Sequence, residues 1–123
     1  MKIHIAHSRE FDFKKNLYEP ISRSCLNKKH NSIFPNETET ETFSSINLFQ
    51  TKINLIIAEI SFPSTGKGIE LGMAHQLNIP IIGIYKKGTK PSGSVKNVND
   101  KFIEYENSAE LISEIAKTPE KII

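Results

Sequence analysis

Two carboxylates and a glycine-rich turn stand close together in the middle of this chain, and their spacing sets the chemistry it could perform. The segment from Asn54 to Ala74, NLIIAEISFPSTGKGIELGMA, reads as strand, turn and helix. Gly66 and Gly68 let a backbone turn tightly and approach a ligand closely. The helix that follows offers free N–H groups to an anion such as phosphate. The spacing is not that of a P-loop, because no Lys-Ser/Thr pair follows the final glycine, and the third glycine is displaced from a dinucleotide GxGxxG. Glu70 is predicted in the first turn of a mostly apolar helix, facing the ligand crevice. It is there either as a working carboxylate or as an acid stabilising the helix dipole, a term of about 0.3–1 kcal/mol. Local pattern leaves both readings open. Glu59 raises the same question inside the strand, where a lone acid must point to the crevice edge or pair with a cation, because unpaired burial is costly.

The elements that must carry these groups follow from the hydrophobic periodicity, which switches repeatedly between strand-like and helix-like. Lys2 to Ala6 is a short β-rich run. Phe13, Leu17, Ile21 and Leu26 recur at helical spacing and predict an amphipathic helix over about Asp12 to Asn27, kinked or started late at Pro20. His30 to Phe34 reads as an edge strand, because Pro35 follows it. Glu37 to Thr42 is polar and loop-like, and Ser44 and Ser45 are able to cap a short helix through Phe49. Ile53 to Ile60 is apolar almost throughout, as a strand buried on both faces should be. A turn, SFPSTGKG, a helix from Ile69 to Leu77, and a strand from Ile81 to Tyr85 come next. KKGTKPSGS reads as a loop, Phe102 to Tyr105 as a last strand, and Ala109 to Ala116 as a closing helix. About five strands alternating with helices make a single-domain, doubly wound α/β fold with a parallel sheet and helices on both faces. Ligands in such sheets bind beyond the carboxyl ends of the strands. That rule selects three loops: His7-Ser8-Arg9, Ser61 to Gly68, and Lys86 to Ser94.

Bulk properties narrow the function classes. The 123 residues make one domain, and 16 basic against 14 acidic side chains give a net charge of +2, without the basic excess of a nucleic-acid binder. Lys28 and Lys29 read as a solvated helix end or loop. Cys25 is the lone cysteine and reads as a buried structural thiol. His4, His7, His30 and His75 have no metal-ligand spacing, so no metal site and no cofactor are expected. MKIHIAHSRE turns polar within a few residues, unlike a signal peptide or anchor, and no apolar run has membrane-spanning length. A cytoplasmic protein with no membrane partner is the expectation.

The run AEISFPSTGKGIELGMA resembles the signature of the nucleoside 2-deoxyribosyltransferase superfamily. It looks closest to the 2'-deoxynucleoside 5'-monophosphate N-hydrolase branch, whose pattern is AEV-x-x-PS-x-G-x-G-x-ELG-x-A. The similarity extends to a first-strand loop containing Arg9, to LYE-x-I (Leu17, Tyr18, Glu19 and Ile21), to the strand IPIIGIY and to a later loop containing Ser94. Together these stretches cover most of the chain in order, as a single domain over 1–123. The resemblance implies that Glu70 is a nucleophile attacking the anomeric carbon of a nucleotide, with water or a second base resolving the sugar ester. It implies phosphate contacts from Arg9, Ser64 and Ser94, with Gly66, Gly68 and His7 lining the substrate site. Guanidinium suits Arg9 to that task because it pairs with phosphate oxygens bidentately. The late loop serves a neighbouring subunit's site in that family, which implies a homodimer or larger assembly around a small-molecule nucleotide.

Two departures from the family pattern bear on activity. The hydrolase branch carries an Asp in the helix before the central strand that assists the leaving base, and the ungapped position here is Ile46. No Asp lies between Asp12 and Asp100, although Glu41 or another nearby acid would reach the role across a short insertion. Loss of a general acid costs on the order of 10²–10⁴-fold in rate. His7 stands where the hydrolase has Ser, either as a substitute proton donor or as a loop histidine bonded to backbone. Tyr18 and Met73 sit among apolar neighbours and read as core, His75 as a solvent-side or packing residue, and Asp12 as a sugar contact or a helix cap. The leading expectation is N-glycosidic cleavage or transfer on a nucleoside 5'-monophosphate. The alternatives are a non-catalytic nucleotide sensor on the same fold and a NAD glycohydrolase.

Overall fold

The computed structural model describes residues 2–7, 12, 14–23, 31–33, 53–62, 65–91, 93–97 and 101–122. Its strands are β1 (Lys2–Ala6), β2 (Asn31–Ile33), β3 (Leu55–Glu59), β4 (Ile81–Lys86) and β5 (Lys101–Tyr105). A π-helical turn, Lys14–Tyr18, leads into α1 (Glu19–Ser22), and the other described helices are α2 (Thr65–Gln76), α3 (Gly93–Lys96) and α4 (Ser108–Ile122). The sheet order is β2-β1-β3-β4-β5, and every pairing is parallel. Four strands of five or six residues form its body, and the three-residue β2 lies at one edge.

Parallel strands covered on both faces need apolar side chains pointing both ways, and this chain supplies them by simple alternation. Ile3, Ile5, Leu55, Ile57, Ile82, Ile84 and Ile103 face one way and pack with Leu17, Tyr18 and Ile21 of the first helical segment and Leu111 and Ile115 of α4. Ala6, Ile56, Ala58 and Ile81 face the other way and pack with Leu71 and Ala74 of α2. The doubly wound α/β architecture expected from the sequence is therefore the observed one. Register at the centre is fixed by an exchange between Lys2 and Asn54. The Lys2 amide donates to Asn54 Oδ1 at 2.8 Å, and the Asn54 amide donates to the Lys2 carbonyl at 2.9 Å.

Four boundaries differ from expectation. The first helix is not a continuous run over Asp12 to Asn27: a π-turn precedes α1, with Pro20 in its first turn. Proline lacks the N–H that would bond back to Asn16, so regular α-helix cannot run through it unbroken. α2 starts at Thr65, ahead of the expected Ile69, so TGKG belongs to the helix and not to the turn. KKGTKPSGS is interrupted by α3 and is not loop throughout. α4 runs beyond the expected Ala109 to Ala116 at both ends. The segments Glu37 to Thr42 and Ser44 to Phe49, along with Lys28, Lys29, Cys25 and His30, lie outside the described residues.

Helix ends are closed by asparagines. At the end of α2, Asn78 takes a left-handed backbone, φ 59°. The Ile79 amide bonds the Ala74 carbonyl at 2.9 Å and the Asn78 amide the His75 carbonyl at 3.1 Å, the pattern of a Schellman cap. At the start of α4, Asn107 Oδ1 accepts from the Glu110 amide at 2.9 Å. Asp12 does the same for the first helical segment, its Oδ1 accepting from the Lys15 amide at 3.3 Å.

Candidate functional site

The order β2-β1-β3-β4-β5 reverses between β1 and β3, so the crevice for a ligand opens beyond the carboxyl ends of those two strands. The helix leaving β3 presents the first candidate group there. Glu70 is the sixth residue of α2, in its second turn. This corrects the expected first-turn placement and removes the helix-dipole explanation, because that effect falls off within the first turn. Its side chain turns inward, 12% exposed, and one oxygen meets a histidine of β1. His4 Nε2 donates to Glu70 Oε2 at 3.1 Å, with the imidazole fully buried. An ionised carboxylate has no proton to give, so the nitrogen facing it carries the hydrogen.

His4 went unread in the sequence beyond its lack of metal-ligand spacing. The signal was present: in KIHIA the imidazole alternates with Ile3 and Ile5 and shares a face with Ala6, and that face is the one α2 covers. A polar ring on that face needs a partner, and Glu70 is the polar side chain that α2 brings to it.

On the opposite face a second set of polar groups gathers along the strand ends. His7 follows β1 and is buried, its Nε2 hydrogen-bonded to the Tyr18 hydroxyl, the two rings edge to face with centroids 5.0 Å apart. The Tyr18 hydroxyl is thus a side-chain partner of His7. Tyr18 is core as expected, 5% exposed, with its hydroxyl on His7. Glu59 is 1% exposed. Its carboxylate accepts from the Ser61 amide and the Tyr105 hydroxyl. Burial, then the Glu59 charge, holds the Tyr105 phenol far above its ordinary value of 10.0, so it remains a donor at all physiological pH. Ser61 Oγ in turn accepts from the Lys86 amide at 2.8 Å. A small cavity of about 130 Å³ opens beside this cluster, lined by residues that include Asn16, Phe62, Lys86, Tyr105 and Asn107.

Lys67 was given no role by the sequence. A lysine in a glycine-rich turn invites a phosphate, yet its side chain is buried and its ammonium donates to the Glu59 carbonyl at 3.1 Å and to the Phe62 carbonyl. Gly66 and Gly68 lie within α2, and a Cβ added at Gly68 meets nothing within 4 Å. Neither serves the tight turn expected of it. Arg9, Ser64, Ile46 and Glu41 lie outside the described residues, as does the side chain of Ser94, whose backbone belongs to α3. Met73 is half-buried, while His75 and Asp12 are exposed, Asp12 acting as the helix cap described above. Among the described residues no cluster of three or more His, Cys, Asp or Glu side chains is placed to hold a metal. Among the same residues no helix is long and apolar enough to cross a membrane.

No family model matches the sequence, and no curated relative matches it. Solved structures do match its fold. A conserved protein from Enterococcus faecalis V583 aligns over 95% of this chain and 98% of its own, at 17% identity and a TM-score of 0.70. The CMP N-glycosidase BcmB of Clostridium botulinum aligns over 94% of this chain and 99% of its own, at 18% identity and a TM-score of 0.67. The fold is shared from end to end.

Proposed function

We propose that this protein cleaves or transfers the N-glycosidic bond of a nucleoside 5'-monophosphate, with Glu70 as the nucleophile. The observation that carries the reading is the Glu70 carboxylate, largely withdrawn from water and fastened to His4 beside the point where the strand order reverses. A carboxylate held by one oxygen has little rotational freedom left to lose on reaching an anomeric carbon. The signature PSTGKGIELG and the end-to-end likeness to a CMP N-glycosidase support the same chemistry.

In the first step a Glu70 oxygen bonds to C1' and the C1'–N bond breaks. The electron pair leaves with the base, which takes up a proton. In the second step water, or a second base, attacks C1' and frees the carboxylate, as in retaining glycosidases. Arg9, Ser64 and Ser94 are proposed to hold the phosphate, with His7, Gly66 and Gly68 along the substrate. The nucleoside 2-deoxyribosyltransferase-like unit spans residues 1–123, and its late loop completes a neighbour's site in a homodimer.

Incubation with a panel of ribo- and deoxyribonucleoside 5'-monophosphates, with chromatography of the products, tests the reading. Free base is expected from at least one of them, and Glu70→Gln should lower its release by on the order of 10³-fold or more. Saturable binding by calorimetry without base release would replace the glycosidase with a nucleotide sensor. Nicotinamide released from NAD in place of a base from any monophosphate would point to a NAD glycohydrolase.

A further inference from the structure

The inner side of α2 is not the side its hydrophobicity selects. Ile69 is 56% exposed while Lys67, two positions earlier, is 3% exposed. The residues turned toward the sheet are Lys67, Glu70, Leu71 and Ala74, at the spacing of one helical stripe. Rolling the helix by about a quarter turn would bring Ile69 toward the core and Lys67 toward water, but it would turn the buried Leu71 outward. It would also swing Glu70 away from His4, because neighbouring helix positions are set about 100° apart.

Two things oppose that roll: the packing of Leu71 and Ala74 in the core and the ammonium of Lys67. The ammonium reaches back to the carboxyl end of β3 and donates to the carbonyls of Glu59 and Phe62. A buried ammonium is tolerated only when it is hydrogen-bonded, and the carbonyls of Glu59 and Phe62 supply those bonds. Glu59 is itself tied to β5 through the Tyr105 hydroxyl. The phase of α2 is thus pinned to the central strands one turn ahead of Glu70.

From this we infer that Lys67 is a positioning residue for Glu70: its ammonium, clamped on the end of β3, sets the rotation of α2 that presents the carboxylate to His4. The inference rests on the glycosidase reading for its kinetic consequence but not for its structural one. Lys67 donates to Glu59 and Phe62, and it acts on the reacting carboxylate through the helix.

The test uses Lys67→Met, which keeps the stem and removes the charge, beside Lys67→Arg, which keeps the donors. The His4 ring ¹⁵N resonances, followed by NMR against pH, report the Glu70 contact without any substrate. Glu70→Gln should shift them, Lys67→Met should shift them in the same direction by at least half as much, and Lys67→Arg should leave them near wild type. On the best nucleotide, Lys67→Met should lower kcat by about 10–10²-fold with KM within about twofold. If Lys67→Met does not fold, Lys67→Gln carries the same readings. Wild-type His4 resonances in the neutral variant, or none moved by Glu70→Gln, would overturn the inference. So would a raised KM at unchanged kcat, which would make Lys67 a phosphate ligand. Absence of base release from wild-type protein would defeat the glycosidase reading alone, since the NMR measurement still decides the role of Lys67.

Discussion

His4 and Glu70 are 66 positions apart in the chain and 3.1 Å apart in the fold. The imidazole helps to give the Glu70 carboxylate a fixed direction, so its removal should be felt in the chemical step. His4→Leu fills the same space without a donor and should lower kcat for base release by about 10²-fold. His4→Gln, which restores an N–H, should recover part of the loss, and steady-state kinetics on both variants checks it. Tyr105 offers a measurement that needs no substrate. Its folded value lies well above the ordinary 10.0 of a free phenol, through burial and then the Glu59 charge. Between those two values the unfolded chain releases a proton that the folded chain keeps. The contribution of Tyr105 to stability is therefore complete below about pH 10 and falls as pH rises beyond it. Tyr105→Phe lacks this proton and leaves Glu59 without its hydroxyl donor. Urea unfolding should show the variant less stable by a constant margin from pH 7 to 9, and the margin should narrow above pH 10.

At the scale of elements, helix ends and helix phase carry separate information. Ends are written locally: Asn107 caps α4 through the Glu110 amide, and Asn78 closes α2 in a left-handed turn with Ile79 packed against the core that holds Ala74. Asn107→Ala should cost about 0.5–2 kcal/mol of stability, readable as a lower urea midpoint at unchanged slope. The start of α2 is different. Gly66 and Gly68 each disfavour helix by about 1 kcal/mol relative to Ala, so TGKG reads as a turn by composition. It is helical in the fold, with the Lys67 clamp and the packing of Leu71 and Ala74 holding the turns that propensity disfavours. The π-turn before α1 was likewise legible only as a disturbance at Pro20, whose missing N–H admits several outcomes.

Across the whole molecule, the two cores on either face of the sheet share β3 at the centre, and Ile57 stands fully buried within it. Ile57→Ala should destabilise the protein by about 2–5 kcal/mol, a large share of the 5–15 kcal/mol typical of a domain, measured by chemical unfolding. The nearly continuous apolar run at Ile53 to Ile60 and the continuous one at Ile81 to Tyr85 made these strands readable, because a strand buried on both faces is apolar at most positions. The fold class, the central strand–helix unit and the candidacy of Glu70 were thus determined by the sequence itself, through periodicity and the pattern PSTGKGIELG. Tertiary structure alone decided that His4 meets Glu70, that Glu59 is held by Tyr105, and that Lys67 is buried with Ile69 left outside. The reason is physical: each of these contacts joins groups from different elements, and strand order and helix phase are set by the summed packing of both cores, which no local window of sequence contains.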